Sequence, residues 1–233
     1  KMLNSLITTA YPLPSVLVVT HKGNPVSEKV AILCRGLKTK HENINFIEME
    51  GYASVCRARN YGIINSKTDY IIMCSDDMVF GTGWLDKLIQ IWNSHDSARI
   101  ILLWKFACYA FHSSLILDVG YWDERYVGLN YDDLDFAMRL FEAEIPVYSV
   151  ENLDLVHHTP SGSTYVIEEN KKNFYSKWTE AYDFTTRSKP IIKRTSHEID
   201  FYPNFTAALK EKFNAREKFP RPFIVQPIIT IGE

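Results

Sequence analysis

The sequence predicts an α/β domain built on a mostly parallel central sheet flanked by helices. Apolar runs typical of strands buried on both faces alternate with stretches in which apolar residues recur at helical spacing. The chain has 233 residues, of which 46% are apolar and 13% aromatic, enough for the core of one large domain. Its 26 basic and 28 acidic residues nearly balance, which argues against broad electrostatic capture of nucleic acid.

Strand-like and helix-like segments follow one another along the chain. The predicted strands are residues 15–20, 44–49, 69–74 and 99–111. The predicted helices are residues 26–37, 56–65, 84–93 and 133–143. In the first helix the apolar residues Val26, Val30, Leu33 and Leu37 recur at helical spacing. Because ligands of such sheets bind beyond the carboxyl ends of the strands, the residues that follow each strand are the candidates for a functional site.

Cysteine usage and hydropathy indicate the compartment. The four cysteines are Cys34, Cys56, Cys74 and Cys108. They form no C-x-x-C pair, so a reduced setting is the simpler interpretation. No signal peptide opens the chain, and the most apolar stretch, residues 98–117, carries Arg99, Lys105 and His112, which makes it a poor membrane span. We therefore expect a cytoplasmic protein without a transmembrane segment.

The first candidate site is the carboxylate pair Asp76 and Asp77, which follows Ser75 at the end of a buried strand. Burying both carboxylates unpaired is costly, so they must face water or a cation. Oxygen ligands and an open coordination sphere suit Mg²⁺ or Mn²⁺ with a diphosphate. The alternative is a solvated turn in which an aspartate caps the next helix, and these residues alone do not decide between the two.

A second acidic cluster consists of Asp132, Asp133 and Asp135 at the start of a predicted helix. Carboxylates at that position cap free amides and interact favourably with the helix dipole, and this explanation is favoured from these residues alone. Three acids after an aromatic, turn-rich loop also suit a general base beside an acceptor hydroxyl.

Two further motifs are weak by themselves. His157 and His158 end a strand before a Gly/Ser loop and could deliver an imidazole to a metal or a phosphate. Arg57, Arg59 and Asn60 open a predicted helix and could contact phosphates, although a surface ion pair explains the arginines equally well.

Together and in order, these motifs resemble a GT-A glycosyltransferase of the large inverting family that includes bacterial rhamnosyltransferases. The resemblance covers about residues 15–165. Its parts are the first strand at 16–20, the A-R-N-x-G-I segment at 58–63, the D-x-D-type motif, the pair Trp84-Leu85, the G-x-x-D-E-R segment at 120–125, the acidic motif at 132–135 and the H-H-x-x-x-x-S pattern of His157, His158 and Ser163. It implies a Rossmann-like domain at 1–187, with a nucleotide-binding half at 15–95 and an acceptor half at 96–187. Residues 188–233 are then a C-terminal arm or a linker to a further domain.

The resemblance also implies an activity and its residues. A sugar would pass from a UDP- or dTDP-sugar to a hydroxyl of a glycan acceptor, with inversion and with Mn²⁺ or Mg²⁺ as cofactor. Asp77 and His157 (or His158) would bind the metal, and Asp133, beside Asp132, would be the general base. The implied nucleotide-sugar contacts are Thr20, His21, Glu50, Arg57, Arg59, Asn60, Ser75 and Asp76. The implied acceptor contacts are Trp122 and Asp123.

The sequence departs from the family pattern at two places. Ser75 stands where a full D-x-D motif has its first carboxylate, so metal binding falls mainly on Asp77. The usual acidic D-D-G-S loop after the second strand is missing, and only Glu48 and Glu50 lie near that position. The second departure leaves the choice of nucleotide open.

Two alternatives to a glycosyltransferase fit parts of the pattern. A nucleotidyltransferase acting on a sugar phosphate also places acids after parallel strands, but residues 21–25 (HKGNP) are a poor phosphate loop. A non-catalytic sugar-binding domain would keep the fold without the reaction, and the joint presence of Asp77, Asp133 and His157 speaks against it.

Overall fold

A computed structural model describes residues 1–23, 25–51, 54–95, 97–128, 130–150, 152–158, 168–178 and 202–214, and the backbone of 225–230. The strands are β1 (Val16–His21), β2 (Ile44–Met49), β3 (Tyr70–Ser75), β4 (Met78–Phe80), β5 (Ile100–Trp104), β6 (Cys108–His112), β7 (Val147–Ser149), β8 (Leu155–His157) and β9 (Val225–Thr230). The α-helices are α1 (Met2–Thr9), α2 (Pro25–Lys38), α3 (Val55–Asn65), α4 (Trp84–Ser94), α5 (Ile116–Val119), α6 (Asp132–Glu142), α7 (Glu168–Lys177) and α8 (Pro203–Asn214).

Seven of these strands form the central sheet, in the order β2-β1-β9-β3-β6-β5-β7. The neighbours β2, β1, β9 and β3 pair in parallel, and so do β5 and β7. Strand β6 pairs antiparallel with both β3 and β5 and is the one strand of this sheet that runs the other way. The predicted α/β domain with a mostly parallel central sheet is confirmed.

Strand β9 is an interior strand of this sheet and lies between β1 and β3. Its residue Thr230 pairs with Val19 on one side and with Ser75 on the other. Helix α8 packs on the same unit, since its Leu209 and Phe213 are buried in the core. Two segments of the predicted C-terminal arm therefore belong to the main folded unit.

Helix α2 covers β1 and β2 with a face that contains only part of its apolar stripe. The residues that it buries are the small side chains Ser27, Ala31 and Cys34. By contrast, Val26 is 56% exposed and Leu33 48% exposed. Val30 and Leu37, the other two residues of the apolar stripe, are partly buried and pack against the core, so only half of the stripe faces outward.

The short strands β4 and β8 form a separate antiparallel sheet beside the main one. Helix α1 packs against β4, where the Ser5 hydroxyl accepts a 3.1 Å hydrogen bond from the Phe80 N–H. Leu6 of the same helix is fully buried. The N-terminal helix thus supports the strand that follows the Asp76–Asp77 turn.

The described cysteines are free and buried. Cys74 of β3 and Cys108 of β6 face each other across the sheet, with their sulfur atoms 3.3 Å apart. Among the helices of the described ranges, none combines the length and the apolar character needed to cross a bilayer.

Candidate active site

The carboxyl ends of β1 and β3 lie at the same edge of the main sheet. His21 ends β1, and Ser75 ends β3, where its N–H donates a 2.8 Å hydrogen bond to the Ala107 carbonyl. Asp76 and Asp77 form the turn from β3 into β4 and follow Ser75 directly. This is the edge at which ligands of parallel sheets bind.

The short sheet brings Asp77 and His157 together at this edge. Asp77 Oδ2 lies 3.1 Å from His157 Nε2, and the two side chains are 28% and 21% exposed. The pairing of Met78 with His157 fixes the register, and the His158 N–H donates to the Asp77 carbonyl at 3.0 Å. Two residues that the sequence separates widely therefore form one pair of potential metal ligands, with His157 rather than His158 at the carboxylate.

The second oxygen of Asp77 makes this pair a candidate cation site. Asp77 Oδ1 is buried and lacks a hydrogen-bond partner within the described ranges, which is costly for a carboxylate oxygen unless a cation binds it. Partial loss of hydration and the adjacent Asp77 carboxylate raise the pKa of Asp76. A carboxylate and an imidazole fit Mn²⁺ or Mg²⁺ when phosphate oxygens and water supply the other ligands. The part of the chain that the structure covers holds no group of three such side chains.

The two predicted catalytic carboxylates, Asp132 and Asp133, open helix α6 but differ in their surroundings. Asp132 Oδ2 accepts a 2.6 Å hydrogen bond from Arg59 Nη1, and both side chains are buried. Asp133 is partly exposed, and its Oδ1 accepts from the Leu134 N–H at 2.9 Å. Burial and the neighbouring Asp132 carboxylate raise the pKa of Asp133. Asp133 is thus better suited than Asp132 to accept a proton.

Arg59, Asn60 and Trp122, which were predicted as ligand contacts, are buried and bonded to other residues of the protein. The Arg59 guanidinium lies 4.0 Å from the Trp122 ring, and Trp122 stacks on Phe136 with ring centroids 4.5 Å apart. Asn60 donates to the Trp122 carbonyl at 2.8 Å and accepts from its N–H at 2.9 Å. With Arg59 on one face and Phe136 on the other, Trp122 has no face left for an acceptor sugar.

Asp123, the other predicted acceptor contact, is also buried. It accepts hydrogen bonds from Arg125 at 2.5 Å and from Lys177 at 3.1 Å. Although burial opposes ionisation, the hydrogen bonds of Arg125 and the charge of Lys177 lower the pKa of Asp123 to about 2. Asp123 therefore stabilises the loop before α6 rather than presenting a free carboxylate.

Lys177 is a residue that the sequence analysis missed. Its ammonium lies 2.9 Å from Asp135 Oδ1 in addition to its contact with Asp123, and it is 1% exposed. Trp178 Nε1 also donates to Asp135 at 2.9 Å. These contacts dock α7 onto α6. The sequence pattern that could have predicted this buried face is the helical spacing of Phe174, Lys177 and Trp178. It is difficult to recognise because the segment around it is very polar.

The remaining predicted nucleotide contacts are spread along the same edge. Thr20 is buried and donates to the Ser27 hydroxyl at 2.6 Å, so it holds the start of α2. Glu50 is exposed and paired with Lys22. Arg57 is half-buried in the first turn of α3. For His21, Glu50 and Arg57 a nucleotide contact stays a prediction. Ser163 and the loop around it lie outside the described residues.

The turn between β5 and β6 contacts both the end of β3 and the aromatic residues that pack on α6. Its Ala107 carbonyl accepts from Ser75 beside the Asp76–Asp77 turn. The neighbouring Phe106 ring packs edge-on against Trp122 and Phe136, with centroids 6.3 and 6.1 Å away. One short turn thus contacts both groups of candidate residues.

No protein-family model and no curated protein matches the chain. Among solved structures, it is similar to the catalytic domain of Drosophila β1,4-galactosyltransferase 7 in complex with xylobiose, at 13% identity and a TM-score of 0.45, over 67% of this chain and 77% of that one. A mutant of the same enzyme in complex with manganese, UDP-Gal and xylobiose is similar at 12% identity and a TM-score of 0.42, over 66% and 78%. Similarity at this level assigns no activity to this chain.

Proposed function

We propose that this chain is a metal-dependent inverting glycosyltransferase that moves a sugar from a nucleotide diphosphate sugar to a hydroxyl of a glycan acceptor. The observation that carries the proposal is the Asp77–His157 pair, which meets at the ligand-binding edge of the sheet with one buried Asp77 oxygen unpaired. This donor set suits a hard divalent cation beside a diphosphate. The donor is proposed to be a UDP- or dTDP-sugar.

Asp77 and His157 would hold Mn²⁺ or Mg²⁺ against the donor. The ion supplies Lewis-acid stabilisation of the charge that develops on a departing diphosphate. Asp76, adjacent and exposed, is assigned to the ribose or to a water-mediated contact. His21 and Arg57 lie at the ends of neighbouring elements and are proposed to contact the nucleotide.

Asp133 is proposed as the general base. It would accept the proton of the acceptor hydroxyl while the hydroxyl oxygen attacks the anomeric carbon from the face opposite the leaving diphosphate, which inverts that carbon. A base works best when its pKa lies near the working pH. Burial and Asp132 both shift the pKa of Asp133 in that direction.

Nucleotide binding with and without Mn²⁺ tests directly whether Asp77 and His157 bind a metal. The melting temperature of the protein would be measured with UDP, dTDP, GDP and CMP, each with and without Mn²⁺. A ligand at a hundredfold excess over its dissociation constant stabilises the folded state by about 2.7 kcal/mol. We expect a Mn²⁺-dependent shift for UDP or dTDP that Asp77→Asn removes. Asp86→Asn, an exposed aspartate in the first turn of α4, is the matched control and should keep the shift. A shift that survives in Asp77→Asn would contradict the ligand assignment.

Product analysis separates the proposed reaction from its alternatives. A glycosyltransferase releases a nucleoside diphosphate, whereas a nucleotidyltransferase releases pyrophosphate. Asp133→Asn should abolish transfer. It should leave the Mn²⁺-dependent shift in melting temperature intact, since Asp133 is not one of the two proposed metal ligands. Carbohydrate binding that needs neither nucleotide nor metal would favour the non-catalytic sugar-binding domain instead.

A further inference from the structure

Arg59 makes two buried contacts that converge on the start of α6. Its Nη1 donates to Asp132 Oδ2 at 2.6 Å, and the two side chains are 9% and 7% exposed. Its guanidinium lies 4.0 Å from the ring of Trp122, a distance typical of a cation–π contact. A charge-assisted hydrogen bond in a buried setting is strong and directional. Arg59 therefore fixes the carboxylate of the first residue of α6.

The second contact reaches the same helix one turn further on. Trp122 stacks on Phe136 with an interplanar angle of 3°, and Phe136 follows Asp132 by four residues. Residues four apart lie on one face of a helix, so Arg59 engages that face at Asp132 directly and at Phe136 through Trp122. The two hydrogen bonds between Asn60 and the Trp122 backbone hold the indole in place. Two points of attachment fix both the position and the rotation of the helix start.

We propose that Arg59 is a positioning residue, whose guanidinium anchors Asp132 and the Trp122–Phe136 stack so that the neighbouring Asp133 is aimed at the acceptor hydroxyl. This inference rests on the proposed function, because it takes Asp133 as the general base. The positioning role of Arg59 differs from a direct contact with the nucleotide. A displacement of about 1 Å at a reacting group can lower a rate about a hundredfold, so the orientation of this helix start matters for catalysis.

The charge of Arg59 adds a second effect. The charged groups that face Asp133 are Asp132, which raises its pKa, and Arg59, which lowers it. Replacing Arg59 by an uncharged residue should raise the pKa of Asp133, and replacing Asp132 by asparagine should lower it. Lysine keeps the charge of Arg59 but lacks the planar fork that meets a carboxylate and stacks on a ring.

The test compares Arg59→Gln, Arg59→Lys and Asp132→Asn with wild type. Arg99→Gln is the matched control, because Arg99 forms a similar 2.6 Å pair with Asp118 at the surface. Transfer is measured as kcat and KM for the nucleotide sugar across pH. We expect kcat to fall about a hundredfold in Arg59→Gln, with the donor KM within about twofold of wild type. The acid limb of the kcat profile should move to higher pH in Arg59→Gln and to lower pH in Asp132→Asn, and should stay in place in Arg59→Lys.

Carboxyl ¹³C NMR supplies a readout that does not need activity. The Asp133 resonance, assigned by its absence in Asp133→Asn, is titrated in wild type and in Arg59→Gln. A donor KM that rises while kcat holds would overturn the proposal in favour of a nucleotide contact, and so would an Asp133 titration unchanged in Arg59→Gln. A wild-type protein that transfers no sugar while the Asp133 titration shifts in Arg59→Gln would instead refute the proposed function and leave the anchoring role of Arg59 standing.

Discussion

Replacing Asp135 by asparagine should be among the most destabilising conservative changes in this protein. The Asp135 carboxylate is fully buried and accepts from Lys177, from Arg139 at 3.0 Å and from Trp178. Breaking a buried ion pair by removing one partner costs about 3–5 kcal/mol. In the variant, Lys177 would still pair with Asp123, and Arg139 would still donate hydrogen bonds to backbone carbonyls. The free energy of unfolding should therefore fall by about 3 kcal/mol, the lower end of that range.

Urea denaturation and thermal melting at neutral pH measure this loss. For a chain of this size, about 3 kcal/mol corresponds to a fall in Tm of about 6–12 °C. Asp118→Asn is the control, because Asp118 also pairs with an arginine at 2.6 Å but is 47% exposed. A surface pair contributes at most about 1 kcal/mol. If Asp135→Asn and Asp118→Asn lowered the free energy of unfolding equally, the account of a buried network that docks α7 onto α6 would be refuted.

Two further changes test the acidic loop and the short sheet. Because Arg125 and Lys177 hold the pKa of Asp123 near 2, below its unfolded value of about 3.9, the stability that Asp123 contributes is present above pH 4 and is lost as the pH falls toward 2. The gap in unfolding free energy between wild type and Asp123→Asn should therefore shrink between pH 5 and pH 2.5 in urea titrations, and a constant gap would contradict this. A Cβ at Gly81 would lie 1.8 Å from Asp154 Oδ2, so Gly81→Ala should cost about 1–3 kcal/mol by overpacking. Adding Asp154→Gly should restore the melting temperature, and an unrelieved loss in the double variant would show that the clash is not the cause.

The strand–helix alternation made the fold class predictable, because buried parallel strands appear as continuous apolar runs. The orientation of α2 was only partly predictable from its apolar stripe. Val30 and Leu37 pack against the core as the stripe predicts, whereas Val26 and Leu33 are largely exposed. The fully buried residues of the helix are the small side chains Ser27, Ala31 and Cys34. Spacing indicates that a segment is helical, but which face is buried depends on how closely the helix can approach the sheet.

At the site, the sequence indicated the residue types better than their roles. Asp77 and His157 meet through β4 and β8, three-residue strands too short to produce a period-2 pattern. The family resemblance implied that Arg59 contacts the nucleotide, whereas from the residues alone a surface ion pair was an equally good explanation. Its actual partner, Asp132, lies 73 residues away in sequence, and a buried pair of this kind depends on tertiary packing that no local pattern encodes.

The position of β9 predicts an order of assembly for the sheet. The pairs β1–β2 and β3–β6 join segments that are close in sequence, whereas β9 pairs Ile228 with Leu17, near the opposite end of the chain. Contacts between distant segments form late, because closing a long loop costs entropy before the pairing is gained. The edges of β1 and β3 that face β9 are therefore expected to stay unpaired until β9 joins them. Open edges of this kind are the places where a nascent chain pairs with its neighbours.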